Sequence, residues 1–311
     1  MTTNSFKDQL KEPWKDMSVE VLEKEYSPSK WSKRLGPDDI IPAHVKLAND
    51  LSEAARKEVP NRLNLSYGSG EKMVLDVFGE DLPGESHVLI YVHGGYWQEL
   101  SKQLSEYVVQ PLYRSKIVVV VVEYELAPKG TVASIVEEVQ GAILWTCNFA
   151  QARGSRGVVL CGHSAGGHLI TQGLSATEKG SSTANDFAKY KDLIKGCIPI
   201  SGVFDLRPLV NTYVNNPLNL TESSAWELSP FAKMSEITRD WPKLKLLVAV
   251  GDQESPEFQR QSKEYYQSCL KAGLKAEYIL VNSADHFNIV EDLALDEFSL
   301  TKKIIEFIQN I

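Results

Sequence analysis

Six short apolar runs recur along this chain with helix-length segments between them, at residues 88–92, 117–122, 158–161, 197–200, 244–250 and 276–281. A strand with water on one face alternates apolar and polar residues. An unbroken apolar run of strand length suits a strand buried on both faces, as in a parallel sheet. The alternation with helical segments therefore predicts an α/β fold: a mostly parallel central sheet with helices on both faces. Residues 62–67 and 72–78 alternate instead and flank Gly68-Ser69-Gly70, which predicts two antiparallel strands at a sheet edge. Between the runs, Val132, Ile135, Val136, Val139 and Ile143 fall on one helical face. Ser255 and Pro256 occupy N-cap and N1 positions of a further helix that Gly273 ends, and residues 293–311 read as a last amphipathic helix.

Two stretches depart from the alternation. Residues 1–60 read as an N-terminal helical extension, with helices expected after Ser18 and after Pro37-Asp38-Asp39. Residues 204–240 lie between two strands, carry prolines and aromatics, and read as a lid or pocket-wall insertion. The whole, 1–311, reads as one domain. A net charge of −8 without a long basic block argues against nucleic-acid binding. The apolar runs are too short to span a bilayer, so no membrane partner is expected. Four cysteines lack CxxC spacing, which gives no zinc pattern and no metal or other cofactor. The polar N-terminus leads to a cytoplasmic expectation, and a homodimer stays open as an assembly.

Chemistry enters at Gly162-His163-Ser164-Ala165-Gly166, directly after the run 158–161. A serine hydroxyl needs exposure and a base to act as a nucleophile. A strand-to-helix elbow supplies the exposure, and its tightness demands small residues on either side. The helix that follows aims free N–H groups at developing negative charge. A second glycine cluster, His93-Gly94-Gly95-Tyr96-Trp97, ends the run 88–92. Backbone N–H groups of Gly94 and Gly95, with that of Ala165, are candidates for an oxyanion hole.

Of six histidines, His286 is the expected base. It follows the last apolar run by a short polar loop, where α/β ligand sites form. His163 is expected to point away from the serine, and His168 to pack beneath it. For the acid, the run 244–250 ends in Gly251-Asp252-Gln253-Glu254. Asp252 is the first choice and Glu254 the reserve, with Asp205 and Asp285 weaker. The order Ser, acid, His is that of α/β-hydrolases.

With these residues the chain resembles the kynurenine formamidase (arylformamidase) family, animal type, of the α/β-hydrolase superfamily. The resemblance rests on Glu25-Tyr26-Ser27-Pro28-Ser29, Trp31, His93-Gly94-Gly95-Tyr96-Trp97, the serine elbow through His168, Ile200-Ser201-Gly202, and the Asp252 and His286 loops. Tyr96 stands where the wider esterase group tends to place a small residue. The resemblance implies a Ser164, Asp252, His286 triad, and an oxyanion hole of Gly94, Gly95 and Ala165. It also implies hydrolysis of N-formyl-L-kynurenine to L-kynurenine and formate, without a metal. Tyr96 and Trp97 are expected to wall the substrate or else to pack under their loop, and Tyr213 to lie near its amino-acid end. The rival functions are a broad-specificity carboxylesterase and a non-catalytic ligand-binding protein on a hydrolase scaffold.

Overall fold

The computed structural model describes residues 10–175 and 186–311. The first nine residues of the expected extension lie outside the described residues. Eight strands form one sheet: β1 (Asn61–Ser66), β2 (Val74–Phe78), β3 (Val88–Val92), β4 (Val118–Val122), β5 (Val158–His163), β6 (Ile194–Ile200), β7 (Lys245–Gly251) and β8 (Lys275–Val281). Their spatial order is β1-β2-β4-β3-β5-β6-β7-β8. β1 pairs with β2, and β2 with β4, antiparallel; every other neighbouring pair is parallel. The fold is that of an α/β-hydrolase.

The unbroken apolar runs make two cores at once. Val88, Ile90 and Val92 face one core with Val118, Val120 and Val122. Leu89 and Tyr91 face the other with Val119 and Val121. Each such side chain, fully removed from water, contributes roughly 1.5–3 kcal/mol before entropy is counted. The first core is covered by α4 (Val132–Arg153), α5 (Ala165–Gly173) and α8 (Pro256–Lys271). The second is covered by α2 (Ile40–Glu58), α3 (Val109–Arg114) and α10 (Ser299–Gln309). α1 (Val19–Glu25), α6 (Glu222–Glu227), α7 (Pro230–Asp240) and the short α9 (Asn288–Glu291) lie among the segments near the strand ends.

Local chemistry sets the boundaries. Thr131 and Ser134 form a reciprocal capping box on α4, and Gly154 ends it in the left-handed conformation. Ser255 accepts from the Phe258 N–H and Pro256 opens α8, while Gly273 follows its end at φ +91°. Two expectations shift. The run 276–281 forms the edge strand β8, where Leu280 is 43% exposed, because β7 pairs with it on one side only. The last helix starts at Ser299 and not at 293, because residues 292–294 close a separate 3-10 turn.

Candidate active site

The loops after β3, β5, β6, β7 and β8 leave the same edge of the sheet, the carboxyl ends of its parallel strands. Ser164 follows β5 at φ 54° and ψ −116°, and α5 begins at the next residue. A non-glycine residue there is strained, and the surroundings hold it. Its N–H donates to Ile200 O at 2.8 Å and its carbonyl accepts the His168 N–H at 3.1 Å. The flanking glycines are dictated by contact. A Cβ on Gly166 would lie 2.0 Å from Val92 O, and one on Gly162 would lie 2.4 Å from Gly166 O. Backbone cannot yield as a side-chain tip can, so neither position admits alanine.

The loop after β3 is a left-handed turn that sequence patterning does not reveal. Gly95, Tyr96 and Trp97 have φ of +98°, +49° and +61°. The turn is held by the Gly95 carbonyl, which accepts the N–H groups of Gln98 at 2.9 Å and Glu99 at 3.0 Å. A Cβ on Gly94 would lie 3.1 Å from the Cβ of Ser164, so this loop passes directly over the serine. Beneath it, His93 stacks on Tyr124 with ring centroids 4.2 Å apart. Gly95, Tyr96, Ser164 and His286 line one cavity. Ala165 occupies the first turn of α5, whose N–H groups have no intrahelical acceptor.

His286 is 6% exposed, and its Nδ1 donates to Glu254 Oε2 at 2.6 Å. The other Glu254 oxygen accepts the Gly251 N–H at 2.9 Å and the Ser201 hydroxyl. Phe258 sets its edge against the imidazole at 4.7 Å. The carboxylate on His286 is therefore that of Glu254, the reserve choice, and not that of Asp252, the first choice. Asp252 is exposed, and its side chain has no hydrogen-bond partner among the described residues. Its N–H continues the pairing to Val281 O at 3.0 Å, and Gln253 N–H follows to Ala284 O at 2.9 Å. Residues 252 and 253 form a turn that the Glu254 N–H closes on Gly251 O at 3.4 Å, which brings Glu254, 4% exposed, under the imidazole. Ser164 Oγ and His286 are not hydrogen-bonded in this arrangement; they share the cavity. Such bonds commonly close only around a reacting substrate.

The other acids are occupied elsewhere. Asp205 binds Arg207 through both oxygens, at 2.9 Å to Nε and 2.8 Å to Nη2. Asp285 accepts from Arg34 at 2.9 and 3.1 Å and from Ser32 at 2.6 Å. Burial alone would raise the Asp285 pKa, but Arg34, Ser32 and two backbone N–H groups bring it down to about 2.

His168 packs beneath the elbow as expected. Its Nε2 donates to Leu228 O at 2.8 Å and its Nδ1 accepts from Trp97 Nε1 at 3.2 Å. Burial pushes its pKa down to about 4, so it stays neutral. That contact fits the second of the two readings of Trp97, packing under its loop, and not a place on the substrate wall. The indole is fully buried and points into the core, away from the cavity, so it cannot touch a ligand. Tyr96 does line the cavity, with its hydroxyl donating to Tyr26 O at 2.9 Å. Tyr213 lines it too, 48% exposed and 3.0 Å from Ser27 Oγ through its hydroxyl. His163 does not point away: its ring lies 4.5 Å from that of His286 and also lines the cavity. Burial and the charges of His286 and His44 hold its pKa well below the usual value.

Comparison with known proteins agrees with this architecture. A BD-FAE family model matches residues 75–240. The chain is 39% identical over 301 residues to a kynurenine formamidase of Danio rerio, covering 95% of this chain and 98% of that one. It is 30% identical over 251 residues to a kynurenine formamidase of Drosophila melanogaster, covering 80% of each. A solved structure from Silicibacter superimposes with a TM-score of 0.71 at 28% identity, over 90% of this chain and 97% of that one. An esterase of Pyrobaculum calidifontis, at 18% identity, shares the fold with a TM-score of 0.65 over 99% and 96% of the two chains. On this coverage and identity, the chain belongs to the kynurenine formamidase family.

Proposed function

We propose that this protein hydrolyses N-formyl-L-kynurenine to L-kynurenine and formate, with Ser164 as nucleophile, His286 as general base and acid, and Glu254 as its partner. The observation that carries the assignment of residues is the 2.6 Å bond between His286 Nδ1 and Glu254, beside the cavity that Ser164 lines. A carboxylate on Nδ1 fixes the tautomer in which Nε2 is free to take a proton, and it stabilises the imidazolium that results. Ser164 Oγ attacks the formyl carbon as His286 takes its proton. Negative charge developing on the formyl oxygen is met by N–H groups of Gly94, Gly95 and Ala165. The arylamine leaves with the proton returned by His286. Water, deprotonated by the same imidazole, then releases formate from the serine ester.

The neutral state of His163 supports this reading, because a second positive ring beside His286 would oppose the imidazolium. So does Tyr96, whose bulk on the cavity wall suits an acyl group as small as formyl. Among the described residues no helix is long and apolar enough to cross a membrane. The four cysteines are buried and unpaired, which supports a cytoplasmic setting; a homodimer is an added proposal.

The test compares kcat/KM for N-formyl-L-kynurenine with that for p-nitrophenyl acetate and butyrate. The formamide should be preferred, and Ser164→Ala should abolish its turnover while still binding L-kynurenine. Equal or greater efficiency on the esters would make the protein a broad carboxylesterase. Failure of Ser164 to react with a fluorophosphonate would make it a binding protein.

A further inference from the structure

An amino-acid substrate brings a carboxylate into the cavity. No lysine or arginine is among the described residues that line it, and the groups there that can carry positive charge are His44, His163 and His286. His286 is committed to the chemistry, and burial keeps His163 neutral. His44 is left. It comes from α2, outside the sheet, and is 6% exposed.

His44 is held as a ligand-binding imidazole would be. Its Nδ1 donates to Glu291 Oε1 at 2.8 Å, so Nε2 is the ring nitrogen left for a partner in the cavity. Glu291 is 3% exposed, and its second oxygen accepts from Arg34 Nη1 at 2.8 Å. Arg34 also grips both oxygens of Asp285, the residue before His286. Phe287 packs on the ring with centroids 5.4 Å apart. With Glu291 behind it, an imidazolium at this position is an ion pair and not an isolated buried charge. The serine mechanism uses neither His44 nor Glu291.

We infer that His44 anchors the α-carboxylate of the substrate through Nε2–H, with Glu291 and Arg34 fixing the ring. The inference rests on the proposed formamidase reading of this cavity. A charge-assisted hydrogen bond of this kind commonly sets a tenfold or larger preference.

The experiment measures kcat/KM for N-formyl-L-kynurenine and for its methyl ester, which lacks the negative charge. Wild type should prefer the free acid. In His44→Gln the ratio of acid to ester should fall about tenfold, through KM for the acid. Glu291→Gln leaves the imidazole in place and should lower the same ratio by a smaller factor. A ratio unchanged in both variants overturns the inference, whatever happens to overall activity, since a purely structural role would slow both substrates alike. If wild type hydrolyses p-nitrophenyl acetate but neither kynurenine derivative, the formamidase reading fails, and the anchor with it.

Discussion

Replacing Glu254 by glutamine tests the identity of the acid most sharply, because its two oxygens do different work. Oε1 accepts the Gly251 N–H at 2.9 Å and Oε2 accepts His286 Nδ1 at 2.6 Å. The Gly251 N–H can only donate, so the one oxygen of a glutamine is drawn to it. The amide NH2 then faces Nδ1, which must accept, and the ring proton moves to Nε2. That tautomer cannot deprotonate Ser164. Reversing the amide sets two buried donors face to face at about 3 kcal/mol, roughly a hundredfold in population. The loss in kcat for Glu254→Gln is therefore bounded below at about 10²-fold. Losing the ion pair of the transition state as well brings it toward about 10⁴-fold, or roughly 5 kcal/mol. Asp252→Asn alters an exposed side chain without a hydrogen-bond partner among the described residues and should change kcat by no more than about twofold. The assay is the absorbance change on conversion of N-formyl-L-kynurenine, with the rate of fluorophosphonate labelling at Ser164 as a second readout. A greater loss for Asp252→Asn than for Glu254→Gln would refute the assignment.

Gly166→Ala places a Cβ 2.0 Å from one carbonyl and 2.5 Å from the next, both backbone, so it should cost at least about 3 kcal/mol in urea unfolding. A variant with the parent midpoint would contradict the geometry of the elbow. Trp97→Phe removes the 3.2 Å bond to His168 and should lower stability by about 1–3 kcal/mol while leaving KM unchanged; a KM raised tenfold would put the indole against the substrate. Asp285 titrates at about 2 in the folded chain, against 3.8 ordinarily. Its contribution is therefore complete above pH 3.8 and is lost as pH falls toward 2, about 2 kcal/mol in all. Asp285→Asn should flatten the fall of the urea midpoint across that window, and equal slopes in both proteins would refute the linkage.

The strands were legible because burial on two faces leaves an unbroken apolar signature, and the elbow because its glycines are forced by backbone contacts. The carboxylate partner of His286 was legible only to within two residues. Where β7 ends was visible, but not the turn at residues 252 and 253 that leaves Asp252 in water and folds Glu254 back under the imidazole. Trp97 was ambiguous because an aromatic after a glycine pair serves a ligand or a core equally well. His44, Arg34 and Glu291 carried no local sign at all. The His44–Glu291 bond joins residues 247 positions apart, and only the folded chain brings them together.

The cavity wall has a further consequence. Its floor is built at strand ends, where little can change without breaking the serine, the imidazole or their supports. Its sides come from Ser29, Ile41 and His44 before the sheet begins, and from Tyr213 and Val214 between β6 and β7. Those segments grip each other directly, through Ser27 to Tyr213 at 3.0 Å and through Glu23 to the Tyr213 N–H at 3.2 Å. Much of the wall thus comes from stretches of chain that hold neither the serine nor its imidazole. Substitutions at Ser29, Ile41 and Val214 should therefore reshape the wall while leaving the serine, the imidazole and their supports in place.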